Sequence, residues 1–144
     1  SRLVPTMTAT ATGNSFCTLR GTHMPTKLAQ YRHQAFFEQD HRCYYCNFLM
    51  WESDLEQFAN SHNISLVQAQ RFKCTAEHLK ARKDGGTDTR SNIVAACLHC
   101  NQTRHRIQPA PSPDKLRIQV AKQLQNNGWH KRKVAIRLSN RIAT

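Results

Sequence analysis

Two Cys-x-x-Cys pairs, Cys43-Tyr44-Tyr45-Cys46 and Cys97-Leu98-His99-Cys100, constrain this chain more than any other feature. Two residues between cysteines let both thiolates point at one tetrahedral ion, and two such pairs complete a four-cysteine site. The chain must then fold so that the two pairs meet. Two disulfides would use the same four residues. However, no apolar signal segment opens the chain, and secreted disulfide folds are usually shorter and richer in cysteine. Iron in a rubredoxin-like site would also suit four thiolates, but zinc is the usual occupant of structural sites of this kind. Cys74 sits in an apolar–polar alternation and is expected to be a small buried hydrophobe. Cys17 lies in a stretch without periodicity.

A chain of 144 residues fits one domain. Its mean hydropathy of −0.66 implies a small core, for which metal binding would compensate by becoming folding energy. No apolar run is long enough to span a membrane, and reduced cysteines suit a cytoplasmic protein. The formal net charge is +12 and is unevenly spread. Residues 1–89 carry ten Lys/Arg against eight Asp/Glu, whereas residues 90–144 carry eleven against Asp114 alone. A half so basic suggests a polyanionic partner, nucleic acid by default.

Residues 1–25 are rich in Thr, Ser, Gly and Ala and are expected to be a disordered leader or an over-extended start. From Thr26 or Lys27 to Gln39, Leu28, Tyr31, Ala35 and Phe36 recur at helical spacing. Phe48 to Trp51 should pack beneath the metal site. Short helices are expected from Ser53 to Asn60 and, capped by Ser65, through Phe72. Residues 73–79 read as a strand, Asp84-Gly85-Gly86 as a turn, and Asn92 to Ala96 as a returning strand. Leu98 to Arg106 reads as a helix that starts inside the second pair. The expected class is α+β: a small zinc-stabilised ββα unit with flanking helices, spanning 26–108. Residues 109–144 form a C-terminal part, in which Pro109, Pro111 and Pro113 stiffen a connector. A helix opens there at Ser112-Pro113 and ends near Gly128, burying Leu116, Val120 and Leu124. The basic stretch from Trp129 carries no clear pattern.

Between the cysteine pairs lie residues suited to catalysis. Imidazole titrates near neutral pH, so His78 can accept a proton and pass it on. The carboxylate of Glu77 suits a hard cation such as Mg²⁺. Neighbours on a strand point to opposite faces, so both can serve one site only where the strand ends or bulges. Asn101 and His105 are four apart on the expected helix and share a face.

The stretch from Cys43 to His105 closely resembles the HNH endonucleases, the ββα-metal nucleases, in their form with two zinc-binding pairs. The densest matches are Ala76-Glu77-His78-Leu79, Asp84-Gly85-Gly86, Asn92-Ile93-Val94 and Cys97-Leu98-His99-Cys100-Asn101. The resemblance places the family's first His at His78, as general base, and the central Asn at Asn92, tying the loop to the strand pair and orienting the base. Family members commonly have Asp or His where Glu77 stands. The resemblance implies one catalytic divalent ion, Mg²⁺ or another, held by Glu77 with Asn101 or His105, and a structural Zn²⁺ on Cys43, Cys46, Cys97 and Cys100. It also implies cleavage of DNA to 5′-phosphate and 3′-hydroxyl ends. Arg82, Lys83, Arg90, Arg104 and Arg106 flank the site and would grip phosphates without reading bases. The alternatives are a zinc-stabilised nucleic-acid-binding module without catalysis and an RNA-directed nuclease.

Overall fold

The computed structural model describes residues 24–139. The expected leader lies outside them except for Met24 and Pro25, as do Cys17 and residues 140–144 of the basic stretch.

Helix α1 (Lys27–Glu38) begins where the Thr26 hydroxyl accepts from the Ala29 amide at 3.2 Å, satisfying a donor that the first helical turn leaves free. Its Ala35 and Phe36 turn inward. The chain then reverses through Asp40, His41 and Asn47, all at positive φ, which wraps the first cysteine pair into a tight loop. The Cys43 amide closes it on the Phe48 carbonyl at 2.9 Å, with Phe48 and Met50 buried beside it. Helix α2 (Leu55–His62) starts two residues later than Ser53, because the Asp54 carboxylate takes the cap by accepting from the Gln57 amide. A negative charge there is favoured by the helix dipole. Helix α3 (Leu66–Gln70) opens on a reciprocal box, with Ser65 accepting from the Gln68 amide and the Gln68 side chain accepting from the Ser65 amide, both at 3.0 Å. It stops short of Phe72, which turns into the core at 1 % exposure.

Strand β1 (Cys74–His78) pairs antiparallel with β2 (Ile93–Cys97), setting Cys74 opposite Cys97 and His78 opposite Ile93. Both edges of this small sheet are covered. Trp51 pairs with the outer edge of β1. On β2, the Gln39 side-chain amide accepts from the Ala95 amide and donates to its carbonyl, at 2.9 and 2.8 Å, as a neighbouring strand would. The loop between the strands contains two short 3-10 turns, Arg82–Asp84 and Arg90–Asn92. Asn92 therefore closes a turn rather than opening the strand. Gly85 has φ +88°, and a Cβ on Gly86 would lie 1.7 Å from the Lys80 carbonyl oxygen, so neither place accepts a side chain without strain.

Helix α4 (Leu98–Arg106) begins inside the second pair, as expected. Helix α5 (Pro113–Gln125) is capped by Ser112 and buries Leu116 and Val120. The basic stretch after Trp129 forms a further helix, α6 (Arg132–Leu138). Its charges hide two apolar positions four apart, Val134 and Leu138, which enter the same core as the four cysteines. The Leu138 carbonyl accepts from the Leu49 amide at 3.1 Å and from Arg42 Nη1 at 3.3 Å. The core therefore runs across the boundary expected at residue 109. The class is α+β, mixed helices with one small sheet and a four-cysteine cluster. Among the described residues no helix is long and apolar enough to cross a membrane.

Candidate functional site

The cysteine pairs meet where β2 runs into α4. The sulfurs of Cys43, Cys46, Cys97 and Cys100 lie within 4.8 Å of one another, all four residues are buried, and none is in a disulfide. Tetrahedral thiolates at about 2.3 Å from zinc stand roughly 3.8 Å apart, so the 4.0 Å between Cys46 and Cys97 suits a shared ion. The surroundings suit anionic sulfur too. The amides of Tyr45 and Cys97 point at Cys43 Sγ, that of Cys100 at Cys97 Sγ, and Trp129 Nε1 donates to Cys100 Sγ at 3.2 Å. Burial pushes the Cys46 and Cys100 thiols well up. Burial would raise Cys43 as well, but hydrogen bonds from Cys100, Cys46 and Cys97 bring it well below the usual range. Cys74 stays apart from it: the thiol is 2 % exposed and pushed up to about 12, chiefly by burial. His99, between the ligands, is half-buried and packed on Trp129, with Nδ1 2.9 Å from Arg71 Nη2. Burial first, and Arg71 and Arg106 after it, lower its pKa to about 4.

At the end of β1 lies a cleft of about 410 Å³ lined by Glu77, His78, Arg82, Lys83, Asn101 and His105, among others. His78 is the last residue of β1, where the alternation of faces no longer binds, so it and Glu77 can share one cleft. Glu77 is 1 % exposed. Its Oε1 accepts from Arg104 Nη1 and lies against His105 Nε2, each at 3.1 Å. Its Oε2 is buried without a hydrogen bond. The Tyr45 hydroxyl is buried close to the Glu77 carboxylate without a well-aligned hydrogen bond, and its phenol is pushed up by burial first, then by the charge of Glu77 and its contact with that carboxylate. Asn101 donates from Nδ2 to Thr75 Oγ1 and the Ala76 carbonyl, which leaves its oxygen for the cleft. An orphaned carboxylate oxygen beside an amide and an imidazole is a donor set that fits a divalent cation. Among the described residues the cysteines are the one group of three or more His, Cys, Asp or Glu side chains close enough to share an ion. An ion at Glu77 would therefore rely on Asn101, water or substrate oxygens as well.

Asn92 ties the loop together from both ends of its side-chain amide. Its Oδ1 accepts from the Lys80 amide at 2.8 Å, and its Nδ2 donates to the carbonyls of Lys80 and Thr87, both at 3.0 Å. The residue after Thr87 is Asp88, whose Oδ1 lies 2.7 Å from His78 Nε2.

The basic residues expected to grip phosphates separate. Arg82 and Lys83 rim the cleft. Arg90 is engaged by the carboxylate of Glu38, and Arg106 lies in another groove with Arg71 and His99. Arg104, expected among the phosphate-gripping residues, is almost wholly buried. Its side chain is 5 % exposed and donates to Glu77, to the carbonyls of His78 and Leu79 and, through Nε, to that of Pro111. A buried carboxylate needs a paired cation, and Arg104 is the one in reach. Asp88 and the buried role of Arg104 are the features that sequence reasoning misses. The signals for them are slight: an acid in the loop ten residues after His78, and an arginine three after Asn101 on one helical face.

Residues 68–106 match the family model for HNH endonuclease, a stretch that holds Glu77, His78, Asn92, Asn101, His105 and the second cysteine pair. No curated protein and no solved structure matches the chain.

Proposed function

We propose that this protein is a metal-dependent endonuclease that hydrolyses phosphodiester bonds in DNA, built around a structural zinc. The observation that carries this reading is the cleft itself. It brings a histidine, a buried carboxylate with an unpaired oxygen, an amide and a second histidine together within a match to a nuclease family.

His78 is the base that takes a proton from the attacking water. Glu77, with Asn101 or His105, would hold one divalent ion, Mg²⁺ in the simplest case. A bound cation supplies charge stabilisation at the scissile phosphate and the leaving oxygen. Arg104 keeps Glu77 in place by pairing Oε1. Asn92 fixes the loop that faces His78. Arg82 and Lys83 stand at the rim where a phosphate would enter. The buried free thiols suit a reducing compartment such as the cytoplasm.

The test uses supercoiled plasmid and a structured RNA, each with and without Mg²⁺, alongside His78→Ala. DNA nicking that needs both the metal and His78 is expected. DNA binding without cutting would replace this reading with a zinc-stabilised binding module, and cleavage of RNA alone would change the substrate.

A further inference from the structure

Three polar groups converge at the mouth of the cleft. His78 Nε2 lies 2.7 Å from Asp88 Oδ1. Arg82 Nη2 donates to both oxygens of Asp88, at 3.1 and 3.0 Å, and its Nε lies 3.3 Å from Asp88 Oδ1 and from His78 Nε2. One ring nitrogen cannot donate to Asp88 and accept from Arg82 with the same valence. The shorter, charge-assisted interaction decides: the proton on Nε2 goes to Asp88, and Arg82 Nε serves the carboxylate. Among the described residues the ring makes no hydrogen bond through Nδ1. The Asp88 side chain is 42 % exposed, yet its loop is held, because Asn92 donates to the carbonyl of Thr87 just before it. The carboxyl stays below its usual range, first through the hydrogen bond from His78 and then through Arg82, against the opposing effect of desolvation.

We propose that Asp88 is the positioning residue of the catalytic histidine: it fixes the Nε2–H tautomer of His78, leaving Nδ1 as the basic nitrogen, while Arg82 and the Asn92–Thr87 tie hold Asp88 in place. This rests on the nuclease reading for its effect on rate, but the tautomer itself does not. The logic is that of any imidazole base whose far nitrogen is held by a carboxylate. The arrangement also gives Asn92 a physical reason to matter without touching His78.

The experiment has two arms on the zinc-loaded chain. The first records ring ¹⁵N–¹H correlation spectra of His78 without Mg²⁺, for the wild type, Asp88→Ala and Asp88→Glu. The wild type should show protonated Nε2 and unprotonated Nδ1, Asp88→Ala should show mixed tautomers, and Asp88→Glu should recover part of the wild-type pattern. A wild-type proton on Nδ1, or a spectrum that Asp88→Ala leaves unmoved, overturns the proposal. The second arm measures DNA cleavage. Asp88→Ala should lower kcat about ten- to a hundredfold with little change in KM, and Asp88→Glu should restore part of it. Unchanged kcat overturns the proposal. So does increased cleavage, which would make Asp88 a stand-in for phosphate that must leave. A wild type that cuts nothing would refute the nuclease reading, while the spectra would still decide the tautomer.

Discussion

The cysteine cluster and the Glu77 cleft share helix α4, which carries Cys100 into one and Asn101 and His105 into the other, and they are finished to different degrees. At the cluster, four buried sulfurs lie within 4.8 Å of one another, with amide and indole donors turned towards them. At the cleft, a buried carboxylate oxygen and a buried phenol have no hydrogen bond, and the histidine is held by a half-exposed acid. A structural site closes its coordination with protein atoms; a catalytic one leaves a place open. The difference shows that one short helix can help to complete the bonding of one site and leave unsatisfied chemistry at its neighbour. Arg104 belongs with Glu77 at the cleft yet is buried like the core.

The largest effect should come from the cluster. Removing zinc with a chelator, or Cys100→Ser, should unfold the domain, since structural zinc in small domains contributes about 10–16 kcal/mol of apparent binding energy to folding. Circular dichroism with metal analysis checks this, and a folded zinc-free protein would break the contrast at its root. Next is Arg104→Ala, which strands the Glu77 carboxylate at 1 % exposure and should cost about 3–5 kcal/mol in urea unfolding. A loss below about 1 kcal/mol would mean that Glu77 is already neutral or hydrated. His78→Ala should leave unfolding and zinc content alone while cutting the cleavage rate by roughly two or more orders of magnitude. If stability falls along with rate, His78 belongs to the structural side. The smallest effect concerns the basic face of α6. Neutralising Lys131, Lys133 and Arg137 together should weaken DNA binding and flatten its salt dependence, by about 0.9 in log–log slope for each phosphate left without its cation. Substitution suits this test better than truncation, because Val134 and Leu138 are core residues and deleting the helix would damage the zinc side as well.

Much of this architecture is legible in the sequence because it is written in local chemistry. Ser65 announces a capped helix, Ser112-Pro113 opens another, and α4 starts inside the second cysteine pair as the sequence implies. What stays hidden is what depends on partners far away in sequence. Arg104 looks like one more surface charge in a basic chain until Glu77 and three carbonyls are seen around it. Helix α6 sits in a run of basic residues with only two core positions, so its pattern resembles a solvated tail. Asp88 stands two residues past the Asp84-Gly85-Gly86 turn with no pattern to single it out, and only the pairing of β1 with β2 brings it to His78.

The Leu138 carbonyl, joined to Arg42 and Leu49, also bears on how fast the molecule assembles. The bond from Arg42 spans 96 positions, so the chain must close a long loop before it forms. The first cysteine loop needs only its own turn, and can be in place early. A closure of that length favours docking of α6 after the rate-limiting step, where it leaves the folding rate little changed. Substitutions at Leu138 therefore act mainly on the rate at which the finished molecule comes apart, which makes the last helix a clasp governing its lifetime.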